Sequence, residues 1–130
     1  MDQPLNGIGV LVTRPEAQAK SLSAGLSDLG AHVVSLPVIE VLPIASESWA
    51  DVDISTQDIV IFVSRNAVTS FMAGFDGAMV ADTQCVAVGA ATAQCMFEHG
   101  LSVDIQAPPP AGSESLLAMP EMQDLAGKQV

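Results

Sequence analysis

Tyrosine is missing from these 130 residues altogether, and lysine and arginine together number 4 against 15 aspartates and glutamates. The second shortage excludes more than the first. Binding nucleic acid means neutralising phosphates with clustered cations, and a net charge of −11 leaves no basic patch to do it. An anionic membrane surface is excluded on the same ground, and no apolar run approaches the roughly 20 residues of a membrane span. The opening Met1-Asp2-Gln3-Pro4-Leu5-Asn6 has neither the basic start nor the apolar centre of a signal peptide, so the cytoplasm is the expected compartment. Cys85 and Cys95 lack CxxC spacing and read as buried free thiols, not as a disulfide or metal pair. Also absent are GxGxxG, a P-loop lysine, HExxH and GxSxG, so nucleotide, zinc-hydrolase and serine-hydrolase chemistry lack their mechanical parts. No metal and no cofactor is expected. His32 and His99 flank glycines that read as helix caps, and no side chain stands out as a proton donor or acceptor. A reaction driven by positioning a reactive substrate fits such a chain better.

What is present is a core. Hydrophobic residues make up 49% of the chain and charged residues 15%, enough apolar surface for a folded domain. The run Asp58-Ile-Val-Ile-Phe-Val63 is apolar without alternation, the composition of a strand covered on both faces of a parallel sheet. It ends abruptly in Ser64-Arg65-Asn66. Val68, Phe71, Met72 and Phe75 then recur at helical spacing, which predicts a helix capped by Ser64 at the strand's carboxyl end, where α/β sheets hold ligands and helix N–H groups favour an anion.

Other segments repeat this pattern. Residues 8–13 read as a strand, Arg14-Pro15 as a helix start with Pro15 at the first helical position, and Ala19, Leu22, Leu26 and Leu29 as an apolar stripe ended by Gly30. Residues 31–41 read as a returning parallel strand, which Pro37 and Pro43 push towards an edge or an exit. The polar, acidic stretch from Pro43 to Gln57 is the best boundary, with Trp49 read as pinning a turn onto the core. Residues 84–89 predict a strand, followed by a helix through Met96 and Phe97 to Gly100, a strand at 101–105, a proline loop at 107–112 and a short helix from Ser113. Asp28-Leu-Gly-Ala-His-Val-Val and Glu98-His-Gly-Leu-Ser-Val-Asp echo one another as helix end, glycine cap and new strand. The final Asp124-Leu-Ala-Gly-Lys-Gln-Val130 reads as a turn introducing a further strand, so a sheet left incomplete by this chain is expected.

Arg14 and Arg65 each follow a predicted parallel strand and open a helix, a placement that suits contact with an anionic ligand better than a surface ion pair. Gly89 permits close backbone approach, and Thr92 offers a hydroxyl beside free helix amides.

Together Val10-Leu-Val-Thr-Arg-Pro15, Leu36-Pro-Val-Ile39, Phe62-Val-Ser-Arg-Asn-Ala-Val68, Ala87-Val-Gly-Ala-Ala-Thr-Ala93 and Gly112-Ser-Glu-Ser-Leu-Leu117 resemble the uroporphyrinogen-III synthase family. Those enzymes are lyases of haem and porphyrin biosynthesis that close the linear tetrapyrrole hydroxymethylbilane with inversion of its last pyrrole and loss of water. The resemblance implies an α/β, parallel-sheet, flavodoxin-like two-domain architecture, incomplete here. Residues 5–41 would be the opening β-α-β unit of the first domain, 42–57 the interdomain linker, and 58–130 the leading half of the second domain. It implies substrate contacts from Ser64, Arg65, Asn66, Gly89, Ala90 and Thr92, with Thr13 and Arg14 across a cleft. The family's tyrosine at the leaving hydroxyl would lie beyond this chain, so the 130 residues alone are expected to be inactive and to self-associate through uncovered strands. The rival reading is a non-catalytic flavodoxin-like or receiver-like anion-binding or interaction module. A receiver would need acidic residues where Thr13-Arg14 and Ser64-Arg65 stand.

Overall fold

The computed structural model describes residues 2–77, 79 and 82–130, and the chain divides into two compact units, Met1–Leu42 and Pro43–Val130. In the first, strand β1 (Gly9–Val12) runs through helix α1 (Glu16–Asp28) into a parallel partner, β2 (His32–Ser35), with Leu11 beside Val34. Pro15 precedes the helix as its cap and is not its first residue. Its backbone is extended (φ −48°, ψ 140°), and its carbonyl accepts the Gln18 and Ala19 amides at 2.9 and 3.0 Å. The expected stripe on α1 is only partly buried. Ala19 is buried, whereas Leu22 and Leu29 are exposed, because a two-stranded sheet is too narrow to cover a 13-residue helix. Strand β2 is shorter than its apolar run, although beyond its last residue Leu36 and Val38 still donate to the Val12 and Thr13 carbonyls at 2.8 and 3.3 Å.

The second unit is a three-stranded parallel sheet in the order β3-β4-β5, formed by Ile59–Phe62, Gln84–Ala87 and Ile105–Gln106. Alternate residues of β3 and β4 point to opposite faces, and both faces are apolar. Phe62, Cys85 and Ala87 pack with Val68 of helix α2 (Arg65–Gly74) and with Ala93, Cys95 and Met96 of helix α3 (Ala90–Glu98). On the other face Ile59, Val86 and Ile105 pack with Leu116 of helix α4 (Ser113–Leu117) and with Met122. This two-sided burial is why the unalternated run at 59–62 is a strand.

The expected strand at 101–105 begins four residues late. Asp104 accounts for the delay: its carboxylate accepts the Cys85 amide at 2.7 Å, occupying with a side chain the place where a ladder carbonyl would sit. The echo between the two helix ends holds at its glycines. Gly30 (φ +94°) and Gly100 (φ +77°) both close a helix in the same way. Ala31 and Leu101 donate back to the Leu26 and Met96 carbonyls at 3.0 and 2.9 Å, and Gly30 and Gly100 donate to the Ser27 and Phe97 carbonyls, both at 2.9 Å. At the chain's end, Gly127 (φ +76°) turns Gln129 back beside β3, where Asp58 and Gln129 exchange bonds of 2.9 and 2.8 Å.

Residues 43–57 are not a bare connection. Trp49, in a turn of 3-10 helix at Ser46–Trp49, stacks on Phe71 with ring centres 5.7 Å apart, and Phe71 in turn stacks on Phe75 at 4.8 Å. A Cβ on Gly74 would come within 2.8 Å of the indole, so the glycine admits the ring against α2.

Candidate functional site

Three turns leave the second unit's sheet at one edge. Phe62 pairs with Ala87 and Ala87 with Gln106, all parallel, so the segments after β3, β4 and β5 emerge side by side at the strands' carboxyl ends. Val88 donates to Phe62 at 3.2 Å and Ala107 to Ala87 at 3.0 Å, holding the turns together one residue past each strand. Ser64-Arg65-Asn66, Gly89-Ala90-Ala91-Thr92 and the 107–112 loop are thereby neighbours, and two of them open helices.

Ser64 is an N-cap: its backbone is extended and its Oγ accepts the Ala67 amide at 3.1 Å, which leaves the hydroxyl hydrogen able to donate. Asn66 is half-buried in the same first turn. Arg65 points elsewhere. Its guanidinium lies 3.9 Å from the Glu98 carboxylate at the end of α3, with both side chains about half exposed (58% and 49%), which is the surface-pair arrangement and not a reach across the strand ends. Glu98 is itself held by Gln94 at 3.1 Å.

Gly89 caps α3 without a side chain, so its neighbours' amides are not closed off from within the helix. Ala90 is exposed, whereas Thr92 is buried, at only 6% exposure. The close approach that the glycine permits is filled by the protein itself: a Cβ there would stand 3.1 Å from the Ala111 Cβ. Sequence reasoning missed Ala111. The signal available was the rigid proline run immediately before it.

Thr13 and Arg14 follow β1 in the first unit. Both are exposed, the Thr13 carbonyl accepts the Val38 amide at 3.3 Å, and Arg14 makes no ion pair among the described residues. The histidines occupy helix and strand ends, His99 with its Nδ1 2.8 Å from the Cys95 carbonyl. Both cysteines are free and buried. Burial, with the Asp104 carboxylate nearby, pushes the Cys85 thiol above its ordinary value of 9.0, against a smaller lowering by Ser102. Among the described residues no three metal-capable side chains cluster, and no helix is long and apolar enough to cross a membrane.

A separate groove of about 800 Å³ lies at the other end of α2, between Trp49, Val52 and Ile54 on one side and Gly74 and Phe75 on the other. It is a whole helix away from Ser64. None of the expected contact residues lines it.

Comparison with known proteins supplies what the site alone does not. The sequence model described as uroporphyrinogen-III synthase HemD matches residues 20–130. The porphyrin biosynthesis protein HemD of Ruminiclostridium josui is 34% identical over 112 residues, which are 80% of this chain and 22% of that protein. The uroporphyrinogen-III synthase of Chlorobaculum parvum is 33% identical over 101 residues, 73% of this chain and 40% of its own. That of Synechococcus elongatus is 32% identical over 125 residues, 89% and 46% respectively. This chain thus spans less than half the length of each of these relatives. In three dimensions it resembles the crystal structure of uroporphyrinogen-III synthetase from Helicobacter pylori 26695, with a TM-score of 0.66 at 21% identity over 88% of this chain and 53% of that one. The parallel α/β fold is therefore shared with that structure, and on the match across residues 20–130 the chain belongs to the uroporphyrinogen-III synthase family.

Proposed function

We propose that this chain is part of a uroporphyrinogen-III synthase, a cofactor-independent cytoplasmic lyase of porphyrin biosynthesis that cyclises hydroxymethylbilane with inversion of its last pyrrole ring. The observation that carries the reading is the side-by-side emergence of Ser64-Arg65-Asn66 and Gly89-Ala90-Ala91-Thr92 from paired parallel strands. The proposed substrate bears acetate and propionate groups on its rings. A protein of net charge −11 cannot draw such an anion in from a distance, so short-range donors must hold it. Two adjacent helix starts supply them: the Ser64 hydroxyl, the Asn66 side chain, and the backbone amides opened by Gly89 and Ala90 beside Thr92.

In this reading residues 5–41 open the first domain, 42–57 link, and 58–130 form the leading part of the second. Thr13 and Arg14, in the first unit, carry an exposed hydroxyl and guanidinium. The site's work is to fix the shape of the bilane. Loss of water from the hydroxymethyl carbon leaves an electrophilic azafulvene, and the substrate must be folded so that the inverted closure outruns the direct one. No proton-transfer residue is assigned to this chain.

The test is turnover of hydroxymethylbilane by the full-length protein, with type III product separated from the spontaneous type I isomer. Type III product is expected, falling when Ser64→Ala and Thr92→Val are combined. Type I product alone from the unsubstituted full-length protein would overturn the reading.

A further inference from the structure

Gly89 has an extended backbone, φ −165° and ψ 169°, which any residue can adopt. Its lack of a side chain therefore answers to space. The space is taken by Ala111, whose Cβ would lie 3.1 Å from a Cβ at position 89, inside the roughly 3.5–4.0 Å of ordinary carbon contact.

Ala111 has little room to retreat. Pro108, Pro109 and Pro110 each fix one backbone dihedral ahead of it. The loop is anchored in front by Ala107, 1% exposed and bonded to the Ala87 carbonyl at 3.0 Å. Behind, the Ser115 hydroxyl donates to the Pro110 carbonyl, and the buried Leu116 donates to Gly112 at 3.1 Å. A stiff strap tied at both ends thus presses its one methyl group against the residue that opens α3.

We propose that Ala111 is a positioning residue: its contact with Gly89 sets the separation between the 107–112 loop and the first turn of α3, and so the place of the amides offered to the substrate. The inference rests on the synthase reading above for what those amides hold. It differs from the simpler account of Gly89, in which the glycine is needed because a ligand comes close to it. On that account relieving the loop would change nothing.

The experiment is a size exchange in the full-length protein. Gly89→Ala is expected to raise KM for hydroxymethylbilane about tenfold, with kcat changed less, because displacement by tenths of an ångström misplaces donors without removing them. Adding Ala111→Gly should restore KM and the melting temperature together. Hydrogen exchange at Ala93, whose amide donates to the Gly89 carbonyl at 3.0 Å, faster in Gly89→Ala and normal in the pair, reads the same contact without turnover. A double variant no better than Gly89→Ala in KM and exchange overturns the proposal, as does a rescued melting temperature when KM never moved. An unsubstituted protein that makes no type III product, yet shows the exchange rescue, would instead overturn the synthase reading and leave the steric contact standing.

Discussion

Asp104 and Cys85 pair as two strands would, but through a side chain: the Asp104 carboxylate accepts the Cys85 amide at 2.7 Å while the Asp104 amide donates to the Cys85 carbonyl at 2.9 Å. Cys85 lies in the central strand at 1% exposure, so an unpaired amide there has no water to turn to. Asp104→Ala is expected to cost the second unit about 1–3 kcal/mol, and Asp104→Asn, which keeps an acceptor, distinctly less. Urea unfolding of the three proteins gives the comparison; equal midpoints would remove the bond from the account of stability.

The raised Cys85 thiol makes stability sensitive to alkali. Its folded-state value lies above the ordinary 9.0, so the folded chain keeps the proton after the unfolded chain has released it. The contribution is complete below pH 9.0 and is lost as pH rises from there through the folded value. A Cys85→Ala variant should show a flatter decline in denaturation midpoint across that window, whatever its absolute stability. Parallel curves for the two proteins would refute the linkage.

Ser64 and Arg65 are adjacent but should contribute unequally to folding. Ser64→Ala removes the cap on α2 and should cost about 1 kcal/mol, whereas Arg65→Ala loses only a half-exposed pair with Glu98 and should cost under about 0.5 kcal/mol. Towards the substrate, Arg65→Ala in the full-length protein should weaken binding by about tenfold or more, as for a charged hydrogen bond. For that contact the guanidinium must leave Glu98. Unchanged affinity would mean that the pair with Glu98 is all that Arg65 does.

The 130-residue segment, prepared alone, should yield no type III product and should self-associate. The first unit's sheet presents Leu11 and Val34 side by side at 57% and 48% exposure, with Leu36, Val38 and Ile39 exposed beyond them. Such a face and two open strand edges favour contact with a second copy. Light scattering beside the isomer assay settles both parts, and an active monomer would contradict them.

The legible parts of the sequence were those where one physical demand dominates. The run at 59–62 must be buried on both faces, and its composition says so; Gly30 and Gly100 are required by left-handed backbone at two similar helix ends. The second unit's candidate residues could be placed at the strand ends because chain order alone puts small polar residues just after apolar runs. Illegible were features that depend on a partner distant in sequence. Nothing near Asp104 reveals that its carboxylate will substitute for a ladder carbonyl 19 residues away, so the strand was expected too early. Nothing near Gly89 names Ala111, and Arg65 gives no local sign that it will turn to Glu98.

Trp49 is the chain's single tryptophan, and there is no tyrosine to share its absorption. Its place against Phe71 and Gly74 sets it at the end of α2 opposite Ser64. Its emission is therefore a built-in optical gauge of whether the 46–49 turn is seated on the helix. Light emitted there should change when the second unit melts and stay steady while a small anion occupies the strand ends, so one cuvette can separate loss of structure from occupation of the site.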